Sequence, residues 1–276
     1  MQHEEFSWKA ADSQMTYAQL WAPDVAPKAV VCLVHGMGEH SGRYAHLAEF
    51  LSGNQVALLA HDHRGHGKSD GKRGHCSSYQ MLLGSVGDLL GKAEALYPGT
   101  PIFLYGHSMG GNVVLNYLIR KNPSVRAGIA TGPWLKLAFD PPKIEVFMGQ
   151  LVGKILPSFT QSTKLDASAI SRIPEEVKKY TSDPMVHDRI SIVMFLGCFE
   201  AGLWALENAA RLEKPVLLMH GTEDKLTSEP ASAEFAQRAG ANVKYVPWQG
   251  CYHEIHNEPE RPQVFQTILD WINQHL

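Results

Sequence analysis

A serine lies at the centre of Gly-His-Ser-Met-Gly, residues 106–110 of this 276-residue chain, and its surroundings suit nucleophilic chemistry. The pattern alone is weak evidence, because glycine and serine are common residues. Residues 101–105 before it are apolar, however, and residues 111–120 after it have apolar positions at helical spacing. A strand, a tight turn and a helix in this order form a nucleophile elbow, in which small neighbours allow strained backbone angles. Ser108 is therefore the predicted nucleophile.

A serine hydroxyl becomes an effective nucleophile when a base takes its proton and a carboxylate orients that base. Downstream of a nucleophile elbow the acid comes first, on the loop after one strand, and the histidine follows on a later loop. Asp224 lies just after the apolar run 216–219 and is the predicted acid. The neighbouring Glu223 is chemically competent, but a solvated loop carboxylate is the more ordinary interpretation of that residue.

Two histidines compete for the role of the base. His253 and His256 both follow the apolar run 243–246 within a few residues of each other. Either one could reach a site formed by strand-end loops, so spacing alone leaves the choice open.

Acyl transfer also needs backbone N–H groups that stabilise the negative oxygen of a tetrahedral intermediate. The residue after the nucleophile, Met109, is one predicted donor. The second donor should come from the loop after the apolar run 29–34, where glycines flank Met37 and let the backbone approach a substrate closely. Met37 and Met109 therefore form the predicted oxyanion hole.

The segment 61–66, His-Asp-His-Arg-Gly-His, contains residue types that bind metals. Its spacing matches neither HEXXH nor HxHxDH, and no downstream ligand set accompanies it, so a polar loop is the preferred interpretation. The cysteines are widely spaced without a CxxC pair, which favours reduced, mostly buried thiols over disulfides. We expect no metal and no cofactor. The cysteines are Cys32, Cys76, Cys198 and Cys251.

The elements that must position these residues alternate between apolar runs of strand length and runs with helical periodicity. This alternation predicts an α/β fold with a mostly parallel central sheet and helices on both faces. The predicted strands are 5–9, 15–21, 29–34, 56–60, 102–105, 125–130, 215–219 and 243–246. The predicted helices are 44–51, 78–96, 111–121, 231–238 and 262–276.

From about residue 133 to residue 211 the alternation stops, and no comparable buried strand is expected there. The segment is instead helical or irregular, with repeated proline and glycine, which predicts an inserted helical cap. Residues 1–132 and 212–276 would then form the core, and the whole chain a single structural domain.

Composition limits the class of protein and its partners. Hydrophobic residues make up 44% of the chain and charged residues 19%, as in a globular protein with a sizeable core. The formal net charge of -3 and the absence of clustered Lys and Arg argue against nucleic acid as a partner. The first residues do not read as a signal segment, and no run is apolar enough to span a membrane, so a cytoplasmic location is expected.

Taken in order, the strand-end motifs resemble those of the monoacylglycerol lipase and lysophospholipase-like group of the α/β-hydrolase family. The resemblance extends over nearly the whole chain, and it implies an α/β-hydrolase fold with an inserted cap and activity on esters of single-chain acyl lipids. In this family the catalytic histidine directly follows an aromatic residue at this place, so the resemblance selects His253 over His256. The segments that carry it are residues 35–44, 62–69, 106–111, 221–224, 252–253 and 257–259.

The family also binds the glycerol-like part of its substrate through polar residues near the nucleophile. The matching positions here are Glu39, Arg43, His107 and His256. A structural interpretation competes with this one, because loops at strand ends serve both purposes. In that case Glu39 and Arg43 would form an ion pair, and His107 would pack beside the elbow.

Within the predicted cap, residues 182–186 match the family, whereas residues 144–156 do not align with it readily. The apolar side chains of 144–156 could line an acyl-chain tunnel, contact a membrane surface or pack on the core, and packing is the usual role of amphipathic helices. Few Lys and Arg residues occur there, which argues against strong attraction to anionic lipid. Transient contact of the cap with a membrane surface is thus one of three roles considered for this segment, beside lining an acyl-chain tunnel and packing on the core.

The leading functional prediction is hydrolysis of a single-chain acyl ester, with a monoacylglycerol as the expected substrate and an acyl-enzyme on Ser108. The alternatives with the same triad are a lysophospholipase, a general carboxylesterase, a thioesterase, a peptidase or a carbon-carbon hydrolase. A non-catalytic ligand-binding protein is disfavoured, because candidates for all three members of the triad are present.

Overall fold

The computed structural model of the chain describes residues 1–139 and 155–276. Its strands include β1 (Gln2–Lys9), β2 (Met15–Ala22), β3 (Ala29–Val34), β4 (Val56–His61), β5 (Ile102–His107), β6 (Ala127–Thr131), β7 (Thr160–Ser162), β8 (Arg189–Ser191), β9 (Val216–Gly221) and β10 (Val243–Trp248). Eight of these strands form one sheet in the order β1-β2-β4-β3-β5-β6-β9-β10. Strand β2 pairs antiparallel with both of its neighbours, and the other neighbouring strands are parallel.

The central sheet is covered on both faces, as the alternation of side chains along β3 shows. Val30, Cys32 and Val34 belong to one buried apolar cluster, whereas Val31 and Leu33 belong to a second cluster on the opposite face. Successive side chains of a strand point to opposite faces, so a strand covered on both sides needs a continuous apolar run. This explains why the run 29–34 contains no polar residue.

Helices cover the two faces of the sheet in unequal numbers. Residues of α1 (Ala45–Gly53) and α7 (Arg261–Gln274) contribute to the cluster that contains Val31. Residues of four helices contribute to the cluster that contains Val30: α2 (Tyr79–Leu96), α3 (Met109–Lys121), α5 (Ile192–Glu207) and α6 (Glu229–Ala239). The mostly parallel sheet with helices on both faces agrees with the sequence prediction. The helices of the described ranges include α1 (Ala45–Gly53), α2 (Tyr79–Leu96), α3 (Met109–Lys121), α4 (Pro174–Ser182), α5 (Ile192–Glu207), α6 (Glu229–Ala239) and α7 (Arg261–Gln274).

The loops that carry the predicted site leave the sheet at one edge. Strands β3, β5, β6, β9 and β10 run parallel, so their carboxyl ends lie together. Met37 follows β3, Ser108 follows β5, Asp224 follows β9 and His253 follows β10. Open α/β sheets bind ligands at this edge. Residues far apart in sequence therefore converge because of the parallel topology.

The predicted cap, residues 133–211, contains helices α4 and α5 and the antiparallel pair β7 and β8. The short pair was not predicted, since each strand has three residues and neither alternates clearly. Helix α5 packs on α3, where Asn112 and Asn116 donate side-chain hydrogen bonds to carbonyls of α5. The predicted boundaries of the cap stay a prediction. Of the segment 144–156, residues 144–154 lie outside the described residues.

In residues 1–139 and 155–276, no helix has both the length and the apolar character needed to cross a membrane.

Candidate active site

The elbow at Ser108 has a strained backbone that its glycine neighbours make possible. Ser108 is the single residue between β5 and α3, and its φ of 54° and ψ of -117° are rare for a residue with a side chain. A Cβ atom on Gly106 would collide with the carbonyl of Gly110, and one on Gly110 would collide with the carbonyl of Val34. Such strain costs about 1–3 kcal/mol and persists only where the surroundings hold it. Here the Ser108 N–H donates to the Thr131 carbonyl at 2.9 Å.

Asp224 and His253 are joined by a short hydrogen bond, from His253 Nδ1 to Asp224 Oδ2 at 2.6 Å. An ionised carboxylate only accepts hydrogen bonds, so Nδ1 carries the proton and Nε2 of the neutral ring is the acceptor. The other polar groups around Asp224 also donate to it: His220 Nε2 at 2.9 Å, the Thr227 hydroxyl at 2.8 Å, and the backbone N–H groups of Leu226 and Thr227 at 2.8 and 3.0 Å. The carboxylate is therefore fixed on both oxygens.

These contacts shift the pKa values of the pair in opposite directions. Burial alone would raise the pKa of Asp224, but His253 and His220 hold it well below its usual value. Burial alone would lower the pKa of His253, but the charge and hydrogen bond of Asp224 raise it above the usual 6.5. Asp224 is thus a permanent anion that stabilises a proton on His253, as a general base requires.

The two histidines left open by spacing occupy different places. His253 lines the main cavity together with Ser108, whereas His256 is fully buried and stacks on Tyr44 with ring centroids 5.0 Å apart. Within the described residues neither ring nitrogen of His256 has a hydrogen-bond partner. Burial lowers the pKa of His256 to about 3, so this ring is neutral. The structure brings His253, and not His256, to Asp224.

The loop after β3 lies against the elbow and presents Met37 to the cavity. Glu39 holds this loop in place, because its Oε1 accepts hydrogen bonds from the Gly36 N–H at 2.6 Å and the Tyr44 hydroxyl at 2.8 Å. In the described ranges, the N–H groups of Met37 and Met109 make no hydrogen bond to protein. Met109 also begins α3, whose N-terminal dipole favours negative charge.

Glu39, Arg43 and Glu254 form a buried ionic cluster behind this loop. Arg43 Nη1 lies 2.7 Å from Glu39 Oε2 and 2.7 Å from Glu254 Oε1, and Arg43 Nη2 lies 2.7 Å from Glu254 Oε2. Burial opposes ionisation of Glu254, but Arg43 holds its pKa well below the usual value. For Glu39, burial is the larger effect and raises the pKa. The structure thus contains the ion pair that the sequence suggested and adds a third member.

Of the four residues predicted to bind the glycerol-like part of a substrate, Glu39 and His107 line the cavity, whereas Arg43 and His256 do not. The His107 ring lies 4.7 Å from the His253 ring, and its Nδ1 is 3.0 Å from the Thr131 hydroxyl. Burial lowers the pKa of His107 well below the usual value, so it is a neutral polar group beside the base. Of the four residues, Glu39 and His107 are therefore placed to contact a substrate directly.

The cavity above Ser108 has a volume of about 1000 Å³, and the part of its wall around Ser108, the polar end, differs in composition from the remainder, the apolar end. Its polar end contains Ser108, His253, His107, Glu39 and Glu254. Apolar side chains dominate the rest of the wall, from loops and helices of the predicted cap and from the loop after β9. They include Trp134, Leu137, Phe139, Phe159, Leu165, Ile170, Val186, Ile190, Ile192, Phe195, Leu196 and Leu226.

Three polar residues that contact or adjoin the predicted triad were not predicted from the sequence. His220 lies near the end of β9 and Thr227 on the loop after it, and both donate hydrogen bonds to Asp224, whereas Glu254 directly follows His253. A polar residue at the end of an otherwise apolar strand was the available signal for His220. Glu254 had no such signal, because its partner Arg43 lies 211 positions away in the chain.

The histidine-rich segment 61–66 forms a loop organised by Asp62. This carboxylate accepts hydrogen bonds from the Ser41 N–H at 2.8 Å and from the Lys68 N–H at 2.8 Å. His61 and His63 are buried, and burial lowers the pKa of both. In the part of the chain that the structure describes, no three His, Cys, Asp or Glu side chains are grouped to hold a metal ion. All four cysteines are buried and unbridged.

The chain is similar to several known proteins in sequence and in fold. A family model described as serine aminopeptidase, S33, matches residues 25–260. The monoacylglycerol lipase of Mycolicibacterium smegmatis is 35% identical over 259 residues, which cover 93% of this chain and 92% of that protein. An uncharacterized abhydrolase domain-containing protein of Dictyostelium discoideum is 35% identical over 96% of this chain, and the chain spans 28% of its length. The crystal structure of Paleococcus ferrophilus monoacylglycerol lipase is 32% identical, covers 100% of both chains and superposes with a TM-score of 0.85.

The chain belongs to the serine aminopeptidase S33 family of hydrolases, because the family model covers most of its length. The predicted α/β-hydrolase fold and the resemblance to monoacylglycerol lipases are both confirmed. The protein is a carboxylic ester hydrolase that acts on a small-molecule ester.

Proposed function

We propose that this protein hydrolyses esters of single-chain acyl lipids, with a monoacylglycerol as the substrate, through an acyl-enzyme on Ser108. The observation that carries the proposal is the cavity, which has a largely apolar wall and a polar end that contains Ser108 and His253. An acyl chain gains about 0.8 kcal/mol for each buried CH₂, so the apolar wall suits a fatty acyl group. The polar end can form hydrogen bonds with the hydroxyls of a glycerol head group.

In the first half of the proposed reaction His253 Nε2 takes the proton of Ser108, and the Ser108 oxygen attacks the ester carbonyl carbon. The negative oxygen of the tetrahedral intermediate accepts hydrogen bonds from the N–H groups of Met37 and Met109. His253 then gives its proton to the leaving alcohol oxygen, and the carbon-oxygen bond of the ester breaks. Asp224 stabilises the imidazolium throughout, because it holds the Nδ1 proton at 2.6 Å.

In the second half a water molecule gives a proton to His253 Nε2 and attacks the acyl carbon. A second tetrahedral intermediate uses the same two N–H groups. The proton returns to the Ser108 oxygen as the acyl-enzyme bond breaks, and the fatty acid leaves. Each residue thus acts twice, which restores the enzyme after one turnover.

The mechanism can be tested with Ser108→Ala, for which we expect loss of fluorophosphonate labelling and a fall in kcat of at least about 10⁴-fold. Ser52→Ala is the matched control, because Ser52 is a buried serine on α1 that does not line the cavity. If Ser108→Ala kept ester turnover and labelling, the proposed mechanism would be wrong, and a non-catalytic role for Ser108 would follow.

The substrate can be tested by measuring kcat/KM for a monoacylglycerol, a lysophospholipid, a thioester and an aminoacyl amide with matched acyl groups. We expect the monoacylglycerol to be the best substrate of the four. A higher kcat/KM for the lysophospholipid, thioester or amide would instead favour a lysophospholipase, a thioesterase or a peptidase.

We also propose transient contact with a membrane surface through the predicted cap. Large apolar side chains are exposed close together in this region, including Ile155, Leu156 and Phe159, with Ile155 exposed to 78%. Exposed apolar clusters mark interaction surfaces. Phosphatidylcholine vesicles should carry the protein in flotation, and the double variant Ile155→Ser, Leu156→Ser should float less. Equal flotation of the two proteins would contradict this contact.

A further inference from the structure

At the polar end of the cavity the acidic residues line the wall, whereas the basic residue that pairs with them does not. Glu39 and Glu254 line the cavity, whereas Arg43, which pairs with both of them, does not. Tyr180 is a lining residue whose ring lies 4.7 Å from the Arg43 guanidinium carbon. A substrate head group at this end therefore lies next to the two glutamates and the Tyr180 ring, and these residues separate it from the Arg43 guanidinium.

Both carboxylates have the hydrogen bonds expected of anions. Glu254 accepts from both terminal nitrogens of Arg43 at 2.7 Å and from Asn257 Nδ2 at 2.8 Å. Glu39 accepts from the Gly36 N–H, the Tyr44 hydroxyl and Arg43, so three donors surround it. Burial raises the pKa of Glu39, whereas Arg43 holds the pKa of Glu254 low, so the cluster carries a net negative charge at a pH above the raised pKa of Glu39. The site is shielded from water, and charges there interact more strongly than in solution.

The other basic groups of the cavity wall do not offset this charge. His107 and His187 are neutral, since burial lowers the pKa of each, and His253 is already matched by Asp224. Among the described lining residues, Lys164 is the remaining cation, and its side chain is exposed on the predicted cap. An anionic head group at the polar end would thus face like charge, because the buried cation there, Arg43, is already paired with both carboxylates and does not line the cavity.

We propose that the Glu39, Arg43 and Glu254 cluster selects substrates by the charge of the head group. Esters with neutral or cationic head groups enter the polar end, and esters with a phosphate or carboxylate head group are rejected. Glu254 is the specificity-determining residue, because Arg43 pairs with both Glu254 and Glu39, so one guanidinium faces two carboxylates and the charge of Glu254 leaves the cluster with an excess negative charge. The inference rests on the proposed function and narrows it from single-chain acyl esters to those without an anionic head.

Repulsion of this kind is a form of specificity by exclusion, in which like charge opposes the wrong ligand without added affinity for the right one. Removing the charge of one carboxylate should therefore help an anionic substrate and harm a cationic one. Because the site is buried, removing the charge of one carboxylate should change kcat/KM by about tenfold or more for each unit charge on the head group. A size filter would not produce this opposite response.

The test uses four octanoyl esters that differ in the head group: glycerol, glycerol 3-phosphate, diglycerol and choline. Diglycerol is a neutral head of larger size and controls for bulk, and choline is a cation. kcat/KM is measured for each ester at about pH 8 and at concentrations below micelle formation. Ratios to octanoylglycerol within one protein cancel differences in folded fraction, so a less stable variant can still be compared.

The variant is Glu254→Gln, which keeps an acceptor for Arg43 and Asn257 but removes one charge. We expect the phosphate-to-glycerol ratio to rise about tenfold and the choline-to-glycerol ratio to fall. Glu258→Gln is the matched control, because Glu258 is buried four positions later, pairs with Arg172 and does not line the cavity. Its three ratios to octanoylglycerol should equal those of the wild type.

Several outcomes would overturn the inference. These are equal hydrolysis of the phosphate and glycerol esters by the wild type, rejection of diglycerol together with phosphate, and unchanged ratios in Glu254→Gln. All of them require that octanoylglycerol is hydrolysed, so they leave the proposed function intact. If the wild type hydrolysed none of the four esters, the proposed function itself would fail, and the inference with it.

Discussion

The two ends of the cavity are built by opposite means. At the polar end hydrogen bonds fix the side chain of Asp224, which accepts from His253, His220 and Thr227. At the apolar end the contacts are between rings, as for Phe195, whose centroid lies 5.6 Å from Trp134 and 6.0 Å from Phe199. Hydrogen bonds fix direction, whereas apolar contact has no preferred direction.

This contrast indicates a division of roles between the two ends. The polar end is built by loops at the carboxyl edge of the sheet, so its geometry is set by the rigid core. The apolar end takes most of its residues from segment 133–211, which lies between β6 and β9 in the chain. Substitutions at the polar end should therefore change the rate of the chemical step. Substitutions at the apolar end should change which acyl chain is preferred.

The largest effect is expected for Asp224→Asn. The amide cannot hold His253 in the tautomer that leaves Nε2 free to accept a proton, so kcat should fall by about 10⁴-fold with KM little changed. Glu223→Gln is the control, because Glu223 is the adjacent carboxylate and does not line the cavity. Steady-state kinetics on a soluble ester would measure both variants. A similar loss in the two would mean that the choice of Asp224 is wrong.

A smaller loss is expected for His220→Leu, which removes the second imidazole from Asp224. Its hydrogen bond to the carboxylate is 2.9 Å long and fully buried, and such bonds to charged groups contribute about 1.5–3 kcal/mol. If that energy holds Asp224 in place, kcat should fall about 10 to 100-fold. The conservative variant His220→Gln keeps an N–H donor and should recover most of the rate.

Unfolding would mimic this result, so thermal melting of each His220 variant belongs with the kinetics. A loss of kcat with unchanged KM and melting temperature supports positioning of Asp224. A loss that follows the melting temperature alone would show that His220 is structural.

The sequence alone predicted most of the polar end and little of the apolar end. Ser108 and Asp224 follow strands, and a parallel sheet brings strand ends together whatever the details of packing. For the histidine, the strand-end position left His253 and His256 open, and the choice of His253 came from the family resemblance. Glu254 was missed because its role depends on Arg43, a contact that local patterns do not record. The apolar wall was not predicted residue by residue, because the periodicity that places an apolar side chain on one face does not identify what it faces.

The predicted bounds of two core elements, β5 and α3, also differ from the observed bounds by a few residues. Predicted strand 102–105 continues to His107, and predicted helix 111–121 begins at Met109. Both shifts arise because Gly106 and Gly110 continue the strand and the helix at close range, although glycine usually marks an interruption.

The pH dependence should also reflect the polar end. His253 acts as a base only when neutral, and Asp224 raises its pKa above 6.5. As pH falls below that raised pKa, the ring is protonated and kcat/KM should decrease about tenfold for each pH unit. The midpoint of this acid limb should therefore lie above 6.5 in a plot of kcat/KM for a substrate that does not ionise. A midpoint below 6.5 would contradict the coupling of His253 to Asp224.

The smallest effect on rate is expected at the apolar end, for Phe195→Ala. Phe195 lines the cavity, and its neighbour Phe199 stacks on it at 6.0 Å without lining the cavity, which makes Phe199→Ala the matched control. Removing the Phe195 ring enlarges the wall, and a hydrophobic site discriminates by about 1–3 kcal/mol for each methylene. The ratio of kcat/KM for long and short acyl chains should thus change about tenfold in Phe195→Ala and stay near the wild-type ratio in Phe199→Ala. Equal changes in both variants would mean that packing of the two rings, and not contact with the acyl chain, sets the preference, and the division between the two ends would not hold.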